Sequence, residues 1–123
     1  MNFDNLAIGV DTEEIDRFKP YSDGSDSFIR KVFTEKEADY CYSKKKFYQH
    51  LAARFCAKEA LIKAVFSLLG KQYFYLDFEI LNYDSGEPYV VFCNSELQKL
   101  KAKISLSHSK INATAFVAVS LGE

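Results

Sequence analysis

The sequence predicts a single α+β domain, residues 1–123, in which one long helix and shorter helices pack on a mostly antiparallel sheet. The chain has 123 residues, a usual size for one domain, and 48% of them are apolar, which is enough for a core. One long segment has helical periodicity, whereas the segments around it are short and alternate like strands. Helices and strands that do not alternate regularly along the chain are typical of the α+β class.

The first predicted element is a strand over residues 6–11. Bulky and small side chains alternate along it, so one face carries Leu6, Ile8 and Val10 and the other carries Ala7, Gly9 and Asp11. Asp11 is predicted to end the strand on its small face, where a ligand has room. The alternative role for Asp11 is to cap a helix over residues 12–18.

Three features are predicted in the middle of the chain. The small polar residues 21–27, YSDGSDS, indicate a loop. Thr34 and Glu37 have the spacing of a capping box, which predicts that a short helix begins there. The long helix is predicted over Phe47–Leu69, because its apolar side chains fall on one stripe at about 100° per residue. That stripe carries Leu51, Phe55, Ile62, Phe66 and Leu69.

The remaining elements are mostly strands. In chain order they are the strands 76–80 and 89–93, a short helix over 94–101 capped by Asn94 or Ser95, and the strands 103–107 and 113–121. The sequence Asp84-Ser85-Gly86 predicts a turn that joins the first two strands into a hairpin. The last strand is apolar on both faces, so it is predicted to be central and covered.

Composition narrows the class of protein. The net charge of -1 does not favour nucleic-acid binding, although Lys44, Lys45 and Lys46 form a local basic run. Three cysteines match no zinc spacing and indicate a reducing compartment, and Cys56 and Cys93 are expected in the core. No apolar run is long enough to cross a bilayer, and the first residues do not resemble a secretion signal. We therefore expect a cytoplasmic protein that binds neither nucleic acid nor membrane.

Two carboxylates are the first candidates for chemistry, Asp11 at a strand end and Glu59 on the long helix. Glu59 lies about 20° from Phe66, at the edge of the apolar stripe, so we expect it to be half-buried. Magnesium is commonly held by one or two protein carboxylates, with phosphate oxygens and water completing its coordination. The alternative for Glu59 is a surface ion pair with Lys63, four residues later on the helix.

Two further candidates are cationic. Arg54 lies about 140° round the helix from Glu59, so only a long ligand, or a site shared between subunits, would contact both residues. His108 stands at a strand end in the segment SLSHS, where a structural role is the alternative. His50 is expected at the surface. A serine–histidine or cysteine–histidine nucleophile is set aside, because no third group or oxyanion site stands at a recognisable spacing.

Four segments, taken together, resemble a known family. IGVDTEEIDRF, FTEKEADYC, LAARFCAKEALIKAV and SLSHSKINATAFVAV occur in the order and with the spacing of the holo-acyl-carrier-protein synthase family of phosphopantetheinyl transferases. The resemblance runs from Ile8 to Val119. It implies the 4′-phosphopantetheinyl transferase-like fold, and transfer of 4′-phosphopantetheine from coenzyme A to a serine of an apo-acyl-carrier protein. The expected setting is lipid metabolism and fatty acid biosynthesis, with secondary-metabolite synthesis as the open alternative.

The resemblance also implies roles for individual residues. Asp11 and Glu59 are expected to ligate Mg²⁺, and Glu59 and Lys63 to be the catalytic pair, with Lys63 on the phosphates beside the metal. Arg17 is expected to dock the acidic carrier protein. Residues expected at the 3′-phosphate and adenosine end of coenzyme A are Lys45, Lys46, Arg54 and His108. Relatives form homotrimers with active sites between subunits, so a homotrimer is expected here too.

Two segments depart from the family pattern. Residues 21–27 are acidic where many relatives carry arginines for the carrier, and SLLGKQYF lacks the GxG-like turn found in some relatives. The general base stays open between Glu59, a metal-bound water and a carboxylate of the carrier. Two other functions also stay open: a non-catalytic module that binds coenzyme A or an acidic carrier, and a magnesium-dependent hydrolase of coenzyme A or a related pyrophosphate.

Overall fold

The protein is described by a computed structural model over residues 3–122, so the predicted domain of residues 1–123 includes three residues outside the described range. A three-stranded antiparallel sheet has the order β1–β5–β4, in which β1 is Leu6–Glu14, β4 is Lys101–His108 and β5 is Asn112–Ser120. The strands β2 (Phe78–Asn82) and β3 (Pro88–Phe92) form a separate antiparallel hairpin. The helices are α1 (Ser27–Val32), α2 (Glu35–Tyr42) and α3 (Phe47–Leu69). The predicted α+β class is confirmed.

Strand β1 is longer than the sequence predicts. It continues to Glu14, which lies opposite Asn112, and only the 3₁₀ turn Ile15–Phe18 follows it. Asp11 therefore pairs with Ala115 within the ladder and does not end the strand. The predicted strand end at residue 11, and the alternative helix cap at that position, are both wrong because β5 offers hydrogen-bond partners for three residues more.

The small face of β1 packs on the long helix. A Cβ atom on Gly9 would lie only 2.1 Å from the carbonyl oxygen of Ala60 in α3, so this crossing requires glycine. The bulky side chains Ile8 and Val10 point to the other side of the sheet and are 61% and 53% exposed. The predicted division of β1 into a bulky and a small face is confirmed, and it is the small face that meets the core.

Helix α3 has the predicted bounds and ends at Gly70, whose φ of 71° suits a left-handed cap. Its predicted apolar stripe is only partly correct, since Leu51 and Phe55 are buried whereas Phe66 is 52% exposed. The buried surface instead includes Arg54 and Lys58, because α3 contacts α2 and β2 as well as the sheet. The periodicity of α3 does not predict these contacts, because they bury polar residues that lie outside its apolar stripe.

The helix α1 was not predicted. The side chain of Asp26 caps it by accepting a hydrogen bond from the Phe28 N–H at 2.8 Å. The predicted capping box at the start of α2 is confirmed, because Thr34 Oγ1 accepts from the Glu37 N–H at 3.2 Å and Glu37 Oε1 accepts from the Thr34 N–H at 2.8 Å. Thus α1 and α2 follow one another closely in the sequence, and both precede α3.

A fully buried ion pair connects the helices. Lys58 Nζ lies 2.6 Å from Glu37 Oε1 and donates a second hydrogen bond to the carbonyl oxygen of Val32 at 2.6 Å. The other oxygen of Glu37 accepts from the Ile80 N–H of β2 at 2.7 Å. Burial lowers the pKa of Lys58, whereas the neighbouring Glu37 carboxylate raises it. The pair therefore joins α1, α2, α3 and β2 inside the core.

The C-terminal part of the fold differs from the prediction in detail. The predicted helix over residues 94–101 is a 3₁₀ turn, Ser95–Leu97, and its predicted cap is confirmed, because Asn94 accepts from the Glu96 N–H at 2.9 Å. β5 is the central strand as predicted, but no element of residues 3–122 covers its outer face, where Phe116 is 46% exposed.

The cysteines divide differently from the prediction. Cys41 and Cys56 are buried, whereas Cys93 is exposed, so its predicted place in the core is wrong. Cys93 lies just after the edge strand β3, where no element covers it within residues 3–122. Within the same range, none of the helices combines the length and apolar character needed to traverse a bilayer.

Candidate active site

The candidate active site lies where β1 crosses α3. Close packing at Gly9 brings the small face of β1, in the middle of the strand, against the middle of α3. As a result, Lys63 Nζ lies 3.3 Å from Asp11 Oδ1 and donates to the carbonyl oxygen of Val10 at 3.2 Å. The structure thus brings together Asp11 and Lys63, two residues that the sequence analysis predicted for one site, although they are 52 positions apart.

Asp11 has spare capacity for a cation. Its second oxygen, Oδ2, is buried and has no hydrogen-bond partner among residues 3–122. An unpaired buried carboxylate oxygen is costly, so a bound cation would satisfy it. Residues 3–122 contain no cluster of three or more metal-ligating side chains. A small set of carboxylate oxygens suits Mg²⁺, which takes its other ligands from phosphate and water.

Glu59 is half-buried, as predicted, and it faces the aromatic residue Tyr75. Its Oε2 accepts a hydrogen bond from the Tyr75 hydroxyl at 2.6 Å. Burial is the main cause that raises the pKa of Tyr75 to about 12, and the hydrogen bond to Glu59 adds to it. Lys63 pairs with Asp11 instead of Glu59, so the alternative of a Glu59–Lys63 surface pair is wrong.

A third carboxylate, Glu13, lies beside Asp11 and was missed in the sequence analysis. Glu13 Oε1 accepts from Arg17 Nη1 at 2.8 Å. Its pKa is raised, first by burial and then by the neighbouring carboxylate of Asp11. The signal was present, because strand alternation places Glu13 on the same face as Asp11. It was overlooked because the strand was predicted to end at residue 11.

Arg17, the predicted docking residue, lies over a cluster of aromatic rings. Its guanidinium is 4.8 Å from the centre of the Phe55 ring, 5.4 Å from Phe18 and 5.9 Å from Phe28. The side chain is 47% exposed, so its charge remains accessible to a partner. Tyr75, the partner of Glu59, packs on the same Phe55 ring at 5.6 Å, and Arg17 also contacts Glu13. Arg17 therefore borders the group of carboxylates around the β1–α3 crossing, which we call the carboxylate site. The guanidinium therefore packs on the aromatic rings on one side and stays accessible to solvent on the other.

Arg54 is buried and contacts a different part of the fold. It donates a hydrogen bond to Asn82 Oδ1 at the end of β2 and lies 4.2 Å over the Tyr40 ring. Its Nε is buried without a hydrogen-bond partner among residues 3–122. Glu59 contacts Tyr75 instead, so one protomer does not bring Arg54 and Glu59 into a common set of contacts.

The other predicted cations lie at the surface. Lys45 and Lys46 are exposed just before the first residue of α3, and His108 is exposed at the end of β4. His50 is half-buried and packs edge-on against Tyr40, so its predicted surface position is only partly correct. Its pKa is lowered by burial and then by the neighbouring basic groups of Arg54, Lys44 and His108. This end of α3 therefore carries a basic cluster: Lys44, Lys45, Lys46, His50, Arg54 and His108.

The two halves of the site define a class of protein. The contact of Asp11 with Lys63 where β1 crosses α3, with Glu13 beside Asp11 and a basic cluster toward the start of the same helix, suits an elongated polyphosphate ligand bound with a divalent cation. Residues 7–118 match the family model of the 4′-phosphopantetheinyl transferase superfamily, and the chain therefore belongs to that superfamily.

Sequence and structural relatives agree with this assignment. The chain is 44% identical over 114 residues to a holo-[acyl-carrier-protein] synthase of Chlamydia trachomatis serovar D. The alignment covers 89% of this chain and 95% of the relative. A crystal structure of the synthase of Bacillus anthracis, in complex with CoA (3′,5′-ADP), matches with a TM-score of 0.76 at 33% identity, covering 93% and 95% of the two chains. The Helicobacter pylori synthase in complex with coenzyme A matches with a TM-score of 0.73 at 28% identity, covering 92% and 99%.

Proposed function

We propose that this protein is a holo-[acyl-carrier-protein] synthase, which transfers 4′-phosphopantetheine from coenzyme A to a serine of an apo-acyl-carrier protein. The observation that carries the proposal is the β1–α3 crossing, where Asp11, beside Lys63, retains a buried oxygen that no group of residues 3–122 pairs with. Further support comes from relatives named holo-[acyl-carrier-protein] synthase, which align over nearly their whole length. Adenosine 3′,5′-bisphosphate is the second product.

The reaction is a substitution at the β-phosphorus of coenzyme A. A bond forms between this phosphorus and the carrier serine oxygen, while the bond from the phosphorus to the bridging oxygen breaks and adenosine 3′,5′-bisphosphate leaves. The serine proton passes to a general base, for which Glu59, a carboxylate of the carrier and water are the candidates. Asp11 and Glu59 are the residues that would hold Mg²⁺, which when bound neutralises charge on the pyrophosphate. Lys63 is half-exposed beside Asp11, where its ammonium group lies within reach of the same phosphates.

The basic cluster is proposed to bind the other end of coenzyme A. Lys45 and Lys46 are exposed where α3 begins, and His108 is exposed at the end of β4. Exposed cations at a helix N-terminus favour phosphate, because the helix dipole adds to their charge. Arg54 is buried against Asn82 and Tyr40, so we propose that it contacts the 3′-phosphate from the buried side of the basic cluster.

Arg17 is proposed to dock the carrier protein. Its accessible guanidinium borders the carboxylate site, which would bring the serine of an acidic carrier close to the pyrophosphate. Electrostatic pairing of this kind chiefly accelerates association and fixes orientation. We further propose that the carrier serves fatty acid biosynthesis in the cytoplasm.

A homotrimer with active sites between subunits is also proposed. The outer face of the sheet is apolar, since Val10 lies opposite Phe116 in the ladder and Ile8 lies opposite Ala118. A cluster of exposed apolar side chains on a small domain is typical of an interaction surface. A shared site would also explain why Glu59 and Arg54 contact different parts of one protomer.

The trimer is tested by replacing Phe116 with Glu. The side chain points away from the core, so the monomer should keep its fold, while sedimentation velocity should show the change from trimer to monomer together with loss of transfer. Ile111→Glu is the matched control, because Ile111 is 67% exposed but lies between β4 and β5, off the sheet face. A wild-type monomer, or a Phe116→Glu trimer, would contradict the proposal.

The function is tested by incubating the protein with apo-carrier protein, coenzyme A and Mg²⁺ and measuring the intact mass of the carrier. A gain of one phosphopantetheine, lost when the metal is chelated, is the expected result. Release of phosphopantetheine without a carrier would identify a hydrolase. Binding of coenzyme A without either product would identify a non-catalytic module.

A further inference from the structure

The hydroxyl group of Tyr75 lies in contact with the proposed metal ligand Glu59. The two oxygens are 2.6 Å apart, and the phenol is the donor to Glu59 Oε2. The other carboxylate oxygen, Oε1, accepts no hydrogen bond from residues 3–122. One oxygen of Glu59 is thus occupied by the protein, and the other remains available to a cation.

Tyr75 is itself well fixed. It begins the 3₁₀ turn Tyr75–Asp77, which is closed by a hydrogen bond from the Phe74 N–H to Asp77 Oδ2 at 2.8 Å. Its ring packs on Phe55 of α3, with 5.6 Å between ring centres. A ring held by both the turn and the helix presents its hydroxyl in one orientation, whereas an unrestrained glutamate has three rotatable bonds.

We propose that Tyr75 is a positioning residue that holds the Glu59 carboxylate in the orientation needed to bind the divalent cation with Asp11. The inference rests on the proposed function, because it takes Glu59 as a ligand of Mg²⁺. Groups that hydrogen-bond to a metal ligand orient it, and their loss commonly weakens metal binding or activity by about 10-fold to 100-fold. Tyr75 contributes through Glu59 and contacts neither substrate nor metal in this role.

The test is the Tyr75→Phe substitution, which removes the hydroxyl and keeps the ring on Phe55. Mn²⁺ binding is measured by electron paramagnetic resonance with coenzyme A present and carrier absent, so that no turnover is required. We expect Mn²⁺ affinity to fall about tenfold. In transfer assays the Mg²⁺ concentration for half-maximal rate should rise by a similar factor, while KM for the carrier and the melting temperature stay unchanged.

The matched control is Tyr73→Phe. Tyr73 also donates to a carboxylate at 2.6 Å, but its partner is Glu96, outside the site. This variant should bind Mn²⁺ like the wild type. Wild-type Mn²⁺ affinity in Tyr75→Phe, or an equal shift in both variants, would overturn the proposal. Failure of the wild type to modify any carrier would instead overturn the proposed function, and the two failures are therefore distinguishable.

Discussion

Helix α3 carries two lysines five residues apart, and each pairs with a carboxylate from another element. Lys58 lies 2.6 Å from Glu37, and both side chains are fully buried. Lys63 lies 3.3 Å from Asp11, and its side chain is 55% exposed. Both pairs join a lysine of α3 to a carboxylate, but one pair is inside the core and the other borders solvent.

The number of partners explains the difference in role. Both oxygens of Glu37 are occupied, because the N–H groups of Thr34 and Ile80 donate to them in addition to Lys58. Asp11 instead retains a buried oxygen that has no hydrogen-bond partner in the described part of the chain. A completed buried pair has no remaining capacity for a ligand and is costly to break on one side, whereas an incomplete pair offers an oxygen to a cation.

The largest expected effect is on the buried pair. Glu37→Ala leaves Lys58 uncompensated and removes the acceptor of two backbone N–H groups. Breaking a buried pair on one side costs about 3–5 kcal/mol, so the free energy of unfolding in urea should fall by that amount. Glu35→Ala, at an exposed position of the same helix, is the control. Similar losses in both variants would remove the distinction between the two pairs.

The second effect concerns activity without stability. Glu59→Gln keeps the helix and the size of the side chain but removes the charge of a proposed metal ligand. Transfer to the carrier should fall about 100-fold or more, with an unchanged melting temperature. Glu96→Gln is the control, because Glu96 also accepts from a tyrosine hydroxyl, outside the site. Near-normal turnover of Glu59→Gln at ordinary Mg²⁺ would disprove the metal assignment.

A smaller effect is expected at Arg17, the proposed docking residue beside the incomplete pair. Arg17→Ala removes an accessible charge and should raise KM for the carrier about tenfold, while KM for coenzyme A stays the same. The effect should weaken as salt is added. Lys19→Ala removes an equally exposed charge two residues later. Equal changes in the two variants would show that overall charge, and not this position, guides the carrier.

The smallest effect concerns His50, which is intermediate in burial between the two lysines. Its pKa is lowered by burial and then by Arg54, Lys44 and His108, so below its ordinary value of 6.5 the unfolded chain binds the proton more readily than the folded one. Stability should therefore fall as the pH drops through 6.5. His50→Asn should flatten this dependence in thermal melts, and an unchanged slope would assign it to other groups.

Local signals in the sequence predicted much of the fold. The bounds of α3, the capping box of α2 and the β2–β3 hairpin depend on nearby residues, and all three are confirmed. The end of β1 and the burial of Lys58 depend on partners far along the chain, and both were missed. The helix α1 has six residues, too few for a clear period.

The candidate site was predicted through its motifs, and the structure adds the residues around them. Asp11 and Lys63 meet as expected for one site. Tyr75 was missed because it lies 16 positions from Glu59, and nothing in the spacing shows that a turn after α3 returns to it. Glu13 was missed because its role depends on where β1 ends.

The most direct test compares Lys58→Met with Lys63→Met, the same loss of charge in both pairs. Unfolding in urea and transfer to the carrier are measured on the same preparations. Lys58→Met should lose about 3–5 kcal/mol of stability, because Glu37 is left buried without its counter-charge. Lys63→Met should keep its stability and lose at least about tenfold in transfer rate. Proportionate losses of stability and rate in both variants would contradict the division between a structural and a catalytic pair.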